Sequence, residues 1–366
     1  MKRIKSVDTI RGLCILLMIL GHLMDWWIIP DDRWLIFILF AFLAPIAATG
    51  FMFISGFSAI LSYKRKVTNI EGSNGLTIRK VKSIYIIRAL LLLIVALLYN
   101  TAIAFGIPDP TWIWAWNILQ TIAISLLLGW LFLNTSKTFR VLVGIVLLVS
   151  NQFISPFLLL YEGQTNIYGL LFYILFHPLE QFTILSYFSI FLIGTVVGDL
   201  FFDVNKISDQ EERKHAIKYV FITPLLLIGI ISVSFSFIFR FPDILFRRTF
   251  SSLVFSIGFI LIFLSILLYI EEFEVIKTKK SYRFFFYYSF YSFTIYLAHD
   301  PLYFIFFQQL NALTIWIGLV GTTFLITLLL KGVYKKWGRK ASLKTQLSIL
   351  SLVILKIIEK KESKNN

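Results

Sequence analysis

Long apolar runs alternate with short polar segments along almost the whole chain. A membrane-spanning helix takes about 20 mostly apolar residues, and about ten stretches of this sequence satisfy that rule. They fall at 7–29, 34–63, 83–106, 112–133, 141–161, 168–202, 219–239, 250–270, 284–307 and 313–334. The sixth is longer than one helix requires, and Pro178 within it predicts a break, because proline removes a backbone donor and clashes with the preceding turn. The basic start, Met1-Lys-Arg-Ile-Lys, resembles the head of a signal peptide. The run behind it is long, carries Arg11 and has no small-residue cleavage site, so it is expected to be the first spanning helix.

The polar segments give an orientation. Lys and Arg accumulate in cytoplasmic loops. Lys64, Arg65, Lys66, Arg79, Lys80 and Lys82 follow the second run; Lys137 and Arg140 the fourth; Lys206, Arg213, Lys214 and Lys218 the sixth. Lys277, Lys279, Lys280 and Arg283 follow the eighth, and Lys335, Lys336, Arg339 and Lys340 the tenth. The alternate loops carry Asp31, Asp32, Asp109, Glu162, Gln308 and Gln309. An all-α polytopic membrane fold with both termini cytoplasmic follows. Arg240, Arg247 and Arg248 break the rule on the outer side, either through a miscounted helix or because they have a task there. Residues 341–366 mix apolar and Lys positions and read as a short cytoplasmic amphipathic helix at the interface, after a single transmembrane domain over 1–340.

Composition agrees and excludes other classes. Hydrophobic residues make up 58% and charged residues 15% of 366 residues, against about 45–50% and 25% in soluble domains. A soluble enzyme, a disordered chain and a disulfide scaffold are excluded. The excess of 35 Lys and Arg over 20 Asp and Glu, +15, fits retention of basic loops and not nucleic-acid binding. A lone cysteine, Cys14, allows no intrachain disulfide and no cysteine-rich metal site; no metal is expected. The Phe/Ile/Leu/Lys bias suggests an AT-rich microbial genome and the cell membrane of a microbe.

Ionisable residues inside spans carry the chemical signal, since they are expensive there and face cavities or partners. Asp8 and Arg11, three apart, share a helix face and could form a local ion pair. His22 lies eleven residues beyond Arg11, near three turns and about 16 Å along the axis. Asp25 follows at i+3, where a carboxylate can orient an imidazole for general-base work; the plainer reading is an interfacial histidine beside belt residues Trp26 and Trp27. His299 and Asp300 precede Pro301 in the ninth run and need partners, or mark a helix end. His177 and Glu180 bracket Pro178, as a cavity-lining turn or a solvated loop. His215, in a charged run, reads as solvated. Arg88 could snorkel or, with Arg11, Arg79 and Lys82, form an inner basic mouth suited to a phosphate-bearing molecule. Gly50, Ser55 and Gly56 allow close helix approach, and Asn117 and Gln120 would hydrogen-bond across helices.

Several of these residues form an ordered set. Ser6-Val-Asp8-Thr-Ile-Arg11-Gly12 with His22 resembles the first helix of membrane acyltransferases. Its wording is most similar to the heparan-α-glucosaminide N-acetyltransferase catalytic-domain family, within the wider acyltransferase-3-like superfamily. Gly50-Phe-Met-Phe-Ile-Ser-Gly-Phe, Trp116-Asn-Ile-Leu-Gln120, Gly194-Thr-Val-Val-Gly198 and Ser292-Phe-Thr-Ile-Tyr296-Leu-Ala-His299 continue the resemblance in order over roughly 5–310. Two features depart from it. Arg88 is the one match to an Arg-x-x-Arg pair, with Tyr85 in the other place. The segment 28–34 lacks the loop histidine of lysosomal members, which leaves His22 as the base.

The resemblance implies acyl transfer from cytosolic acetyl-CoA, or another acyl-CoA, to a hydroxyl or amine of an extracytoplasmic sugar, glycan or glycolipid. Arg11, Arg88, Arg79 and Lys82 would meet the donor phosphates, and His22, Asp25 and His299 would carry the proton chemistry. Arg240, Arg247, Arg248, Asn117 and Gln120 would meet the acceptor. Direct attack and an acyl-histidine intermediate both stay open, as does a homodimer. The competing reading is a multi-pass transporter or lipid or glycan flippase that uses the same buried groups as a path.

Overall fold

A computed structural model describes residues 3–70, 77–106, 109–177, 182–241, 243–246, 249–276 and 282–365, and the side chains of all but a few of these. The described residues are mainly helical. The helices are α1 (Lys5–Trp27), α2 (Trp34–Thr68), α3 (Ile78–Gly106), α4 (Ile118–Gly129), α5 (Lys137–Leu159), α6 (Ile167–Leu175) and α7 (Ile184–Val204). There follow α8 (Gln210–Ala216), α9 (Thr223–Phe239), α10 (Phe250–Glu272), α11 (Arg283–Phe290), α12 (Ser292–Ala298), α13 (Thr314–Lys336) and α14 (Leu343–Asn365). Nine helical stretches among the described residues are long and apolar enough to cross a membrane.

Most expected spans appear with shifted ends. The sixth run is α6 plus α7, divided as the proline predicts, with Pro178 and Glu180 outside the described residues. The fourth run begins as a short 3-10 turn at Pro110–Trp114 before α4, whose first turn is capped by the Asn117 side chain. The seventh starts earlier, at Gln210, where the Asp209 carboxylate caps the Glu212 amide. A π-helical turn at Ile217–Ile222 joins α8 to α9, just before Pro224. Proline offers no amide to the carbonyl four residues back, and a wider turn accommodates the loss.

The ninth run departs most. It is three pieces, α11, α12 and a 3-10 turn over Asp300–Phe304, none of which is long enough to span. Pro301 explains the last break, since it offers no amide to the Leu297 carbonyl four residues back and α12 cannot continue through it.

The chain divides into two compact units: 1–51 with 207–345, and 52–206 with 346–366. The first has a core of Ile15, Ile19, Leu23, Met24 and Trp27 from α1 packed with Tyr288, Tyr291 and Ile315. The start of α1 is fixed by Glu271 at the end of α10, which accepts hydrogen bonds from the Lys5 amide at 2.8 Å and the Ser6 amide at 2.7 Å. Those amides are the orphan donors of a helix N-terminus, and a carboxylate is their best partner. Asp8 is buried and bound by Arg3, Tyr282 and Ser289, with Arg11 at 3.8 Å.

In the second unit, α2 and α7 approach through glycine. A side chain at Gly56 would strike the Phe191 carbonyl, one at Gly194 the Phe53 carbonyl, and one at Gly198 the Phe57 backbone. The small residues flagged separately on the two helices therefore meet, the expected use of small residues in a bilayer, where close packing replaces the hydrophobic drive. An ionic cluster with a buried Asp199–Arg140 pair and a partly exposed rim ties the same helices to α5: Asp199 binds Lys64 and Arg140, and Asp203 binds Lys137.

Candidate active site

The first unit brings His22 and His299 together, although 277 positions separate them in the chain. Their ring centroids are 5.1 Å apart. Trp26, one turn after His22, stacks on His299 at 5.7 Å and meets Tyr303 edge-on at 5.6 Å. His22 is exposed and His299 is buried.

The backbone fixes this pairing. The segment after His299 is zipped to the end of α1: the Gln308 amide donates to the Trp26 carbonyl at 3.0 Å, and the Leu310 amide to Trp27 at 2.9 Å. The Ile29 amide returns a bond to Leu310 at 2.9 Å, and the Trp27 indole donates to Leu302 at 2.8 Å. Gln308 has a left-handed backbone, φ 51°, at the point where the chain turns onto α1. The break in the ninth run is what frees this segment to reach back.

The tautomer of His299 follows from its neighbours. Its Nδ1 lies 2.6 Å from the Tyr296 carbonyl, which can only accept, so Nδ1 carries a proton. Nε2 then has the lone pair in the neutral ring. The Asp300 carboxylate is 3.6 Å from Nε2. Asp25, expected to support His22, is exposed and makes no hydrogen bond or ion pair with described residues. The carboxylate of this site is Asp300 beside His299.

The other expected residues are dispersed. Arg11 lies beside Asp8. Arg79 is exposed and pairs with Glu362 at 3.3 Å, and Lys82 is exposed. Arg88 is half-buried in α3, within electrostatic range of Lys66 and Tyr85. Tyr85 packs on Trp130 at 5.4 Å, and Trp130 packs edge-on against Tyr63 at 5.5 Å. This basic and aromatic group belongs to the second unit. Arg240 ends α9 with its guanidinium 5.7 Å from the Phe239 ring; Arg247 and Arg248 lie outside the described residues, as do Lys277, Lys279 and Lys280.

Asn117 and Gln120 are engaged within the fold. Asn100 of α3 donates to Gln120 at 2.8 Å and to the Ala115 carbonyl at 2.9 Å, while Asn117 donates to Asn100 and caps the Gln120 amide at 2.9 Å. His177 also has a structural bond. Its Nε2–H donates to the Thr111 carbonyl at 2.7 Å, from a left-handed backbone with φ 67°. It lines a cleft of about 490 Å³ with Thr111, Ile113, Trp114 and Tyr173. Burial lowers the His177 pKa, against the opposing pull of that hydrogen bond.

A family model for the catalytic region of heparan-alpha-glucosaminide N-acetyltransferase matches residues 3–242. The chain belongs to that family. No curated protein matches the chain. Membership makes it a membrane acetyltransferase, in a family that uses acetyl-CoA as donor. The matched region contains His22, Arg88, Asn117 and Gln120, whereas His299 and Asp300 lie beyond it. Geometry, and not the family match, puts His299 beside His22 and Asp300 beside His299.

Sequence reasoning missed Asn100, the ionic cluster on Asp199, and the edge-on Trp26–Tyr303 contact. The first two carry a readable signal: an amide and a carboxylate inside apolar helices require partners. The aromatic contact carries none, because aromatic residues near span ends are ordinary belt residues.

Proposed function

We propose that the protein moves an acetyl group from cytosolic acetyl-CoA to a hydroxyl or amine of an extracytoplasmic sugar or glycan, with His22 as general base and His299 as its partner. The observation that carries this reading is the His22–His299 pair at 5.1 Å, one ring exposed and the other locked by Tyr296. A substrate-facing base has to be accessible, and a positioned proton acceptor has to be held.

In the proposed step the acceptor oxygen or nitrogen attacks the thioester carbonyl. A C–O or C–N bond forms, the acceptor proton goes to the His22 imidazole, and the C–S bond breaks. The departing thiolate takes that proton back from the imidazolium as free CoA, so the ring returns neutral. His299, held by the Tyr296 carbonyl with Asp300 beside Nε2, keeps its ring against the Trp26 face. Arg88 and Lys66, beside the Tyr85–Trp130 pair, would take the donor phosphates; guanidinium binds phosphate in a bidentate manner. Arg240 is retained as an acceptor contact, along with Arg247 and Arg248, and Lys82 as a donor contact.

The test uses purified protein in detergent. Saturable acetyl-CoA binding is expected in the wild type, lost in Arg88→Ala and kept in His22→Ala. Slow hydrolysis of bound acetyl-CoA is expected to vanish in His22→Ala and in His299→Ala. A folded wild-type protein that binds no acetyl-CoA overturns the reading and leaves the transporter alternative.

A further inference from the structure

We infer that α14 is a docking surface for an anionic bilayer leaflet. Its two faces have different partners. Ser351 and Leu355 are buried, and Glu359 and Glu362 continue the same face at i+8 and i+11. Glu359 pairs with Lys80 at 3.2 Å and Glu362 with Arg79 at 3.3 Å. Both cations lie in the first turn of α3, where a candidate span begins. The pairs therefore hold the C-terminal half of α14 level with the end of a membrane-crossing helix.

The opposite arc is apolar. Ile349, Val353 and Ile357, at i, i+4 and i+8, are joined by Leu350, and these four are 44–52% exposed. Lys356 lies at one edge of the arc and Lys361 at the other, and Lys360 continues the line of Ile349 beyond Ile357, all exposed. The helix carboxylates of this half, Glu359 and Glu362, are turned to α3, so the outer face carries positive charge. An apolar arc edged by lysines, held at the end of a span, matches a membrane surface with negative headgroups. About 35 Å of helix would lie in the interface plane. This inference does not depend on the acetyl-transfer reading.

The experiment places an environment-sensitive fluorophore on Val353→Cys in the full chain carrying Cys14→Ala, so that the buried native thiol cannot take up the probe. The protein is reconstituted in phosphatidylcholine bilayers with or without about one third phosphatidylglycerol, plus lipids carrying a shallow quencher or a deep acyl-chain quencher, the latter for the mid-span reference. Leu325→Cys on α13, 65% exposed on a candidate span, serves as the reference. The expected result is about twofold quenching at position 353 in the anionic bilayer, by analogy with interfacial helices. That quenching should be lost when Lys356, Lys360 and Lys361 are all changed to Glu, with position 325 quenched throughout. No quenching at 353 while 325 is quenched overturns the inference. So does quenching at 353 that survives the triple change, or crosslinking of two Val353→Cys chains in place of lipid contact.

Discussion

The His22–His299 pair and the Asn100–Asn117–Gln120 network place polar side chains in strongly apolar helices, and they look alike in sequence. They differ in closure. In the network each amide meets another amide or a backbone carbonyl, and all three residues are buried. In the histidine pair one ring is buried and held while the other is exposed. A polar group within a span thus does one of two jobs: it joins helices when its valences are satisfied inside, and it does chemistry when one face is left accessible. The residue type does not tell them apart; the partner list does.

The largest expected effect comes from the open site. His22→Ala and His299→Ala should each lower acetyl transfer by about 10²–10⁴-fold, the usual span for a general base, and His22→Ala, at the exposed ring, should leave thermal unfolding in detergent little changed. A large loss of stability with unchanged turnover per folded molecule would reverse the comparison.

The closed network should respond the other way. Asn100→Leu strands the Gln120 and Asn117 groups, and each buried orphan lowers stability by about 1–3 kcal/mol. Turnover of the molecules that remain folded should hold. Denaturation midpoints and single-turnover rates, measured on one preparation, separate the two outcomes.

How much of this was legible follows from where each restraint lies in the chain. Apolar run length locates every expected span but the ninth, because the bilayer demands it of each helix separately. Arg11 and His22 could be placed on one face because they share a helix. Asp25 was the natural support for His22 for the same local reason, yet the carboxylate in place is Asp300, next to a histidine 277 positions away. That pairing depends on the backbone bonds from 308–310 to α1, which leave no mark in side-chain identity. Asn117 and Gln120 were expected at the acceptor, and without the position of Asn100 their closure could not be read. Arg79 was placed in a basic mouth, since its partner Glu362 comes from the far end of the chain.

A subtler effect concerns pH. His177 has a lowered pKa in the folded protein, mainly through burial. The unfolded chain then takes up a proton more readily, near the ordinary histidine value of about 6.5. Stability from the neutral ring is full above that value and falls as pH drops through it towards the folded-state pKa. His177→Asn tolerates the left-handed backbone and cannot titrate, so it should flatten the decline in melting temperature between pH 7 and 5 (about two units around that pKa). An unchanged slope would assign the acid sensitivity elsewhere. The smallest effect belongs to Arg79→Ala, which removes an exposed pair with Glu362 and should change stability by at most about 1 kcal/mol.

The carboxylate of Glu271 has a reach longer than its two hydrogen bonds. It grips the first amides of α1, and a helix behaves as a stiff rod over a few turns. Sixteen residues separate Ser6 from His22, about 24 Å of axial rise. The grip at one rim thus acts as the datum from which the depth of the imidazole is measured. Shortening that residue to Asp, or sliding the rod by one residue, would displace the base along the membrane normal while every side chain at the site stayed the same.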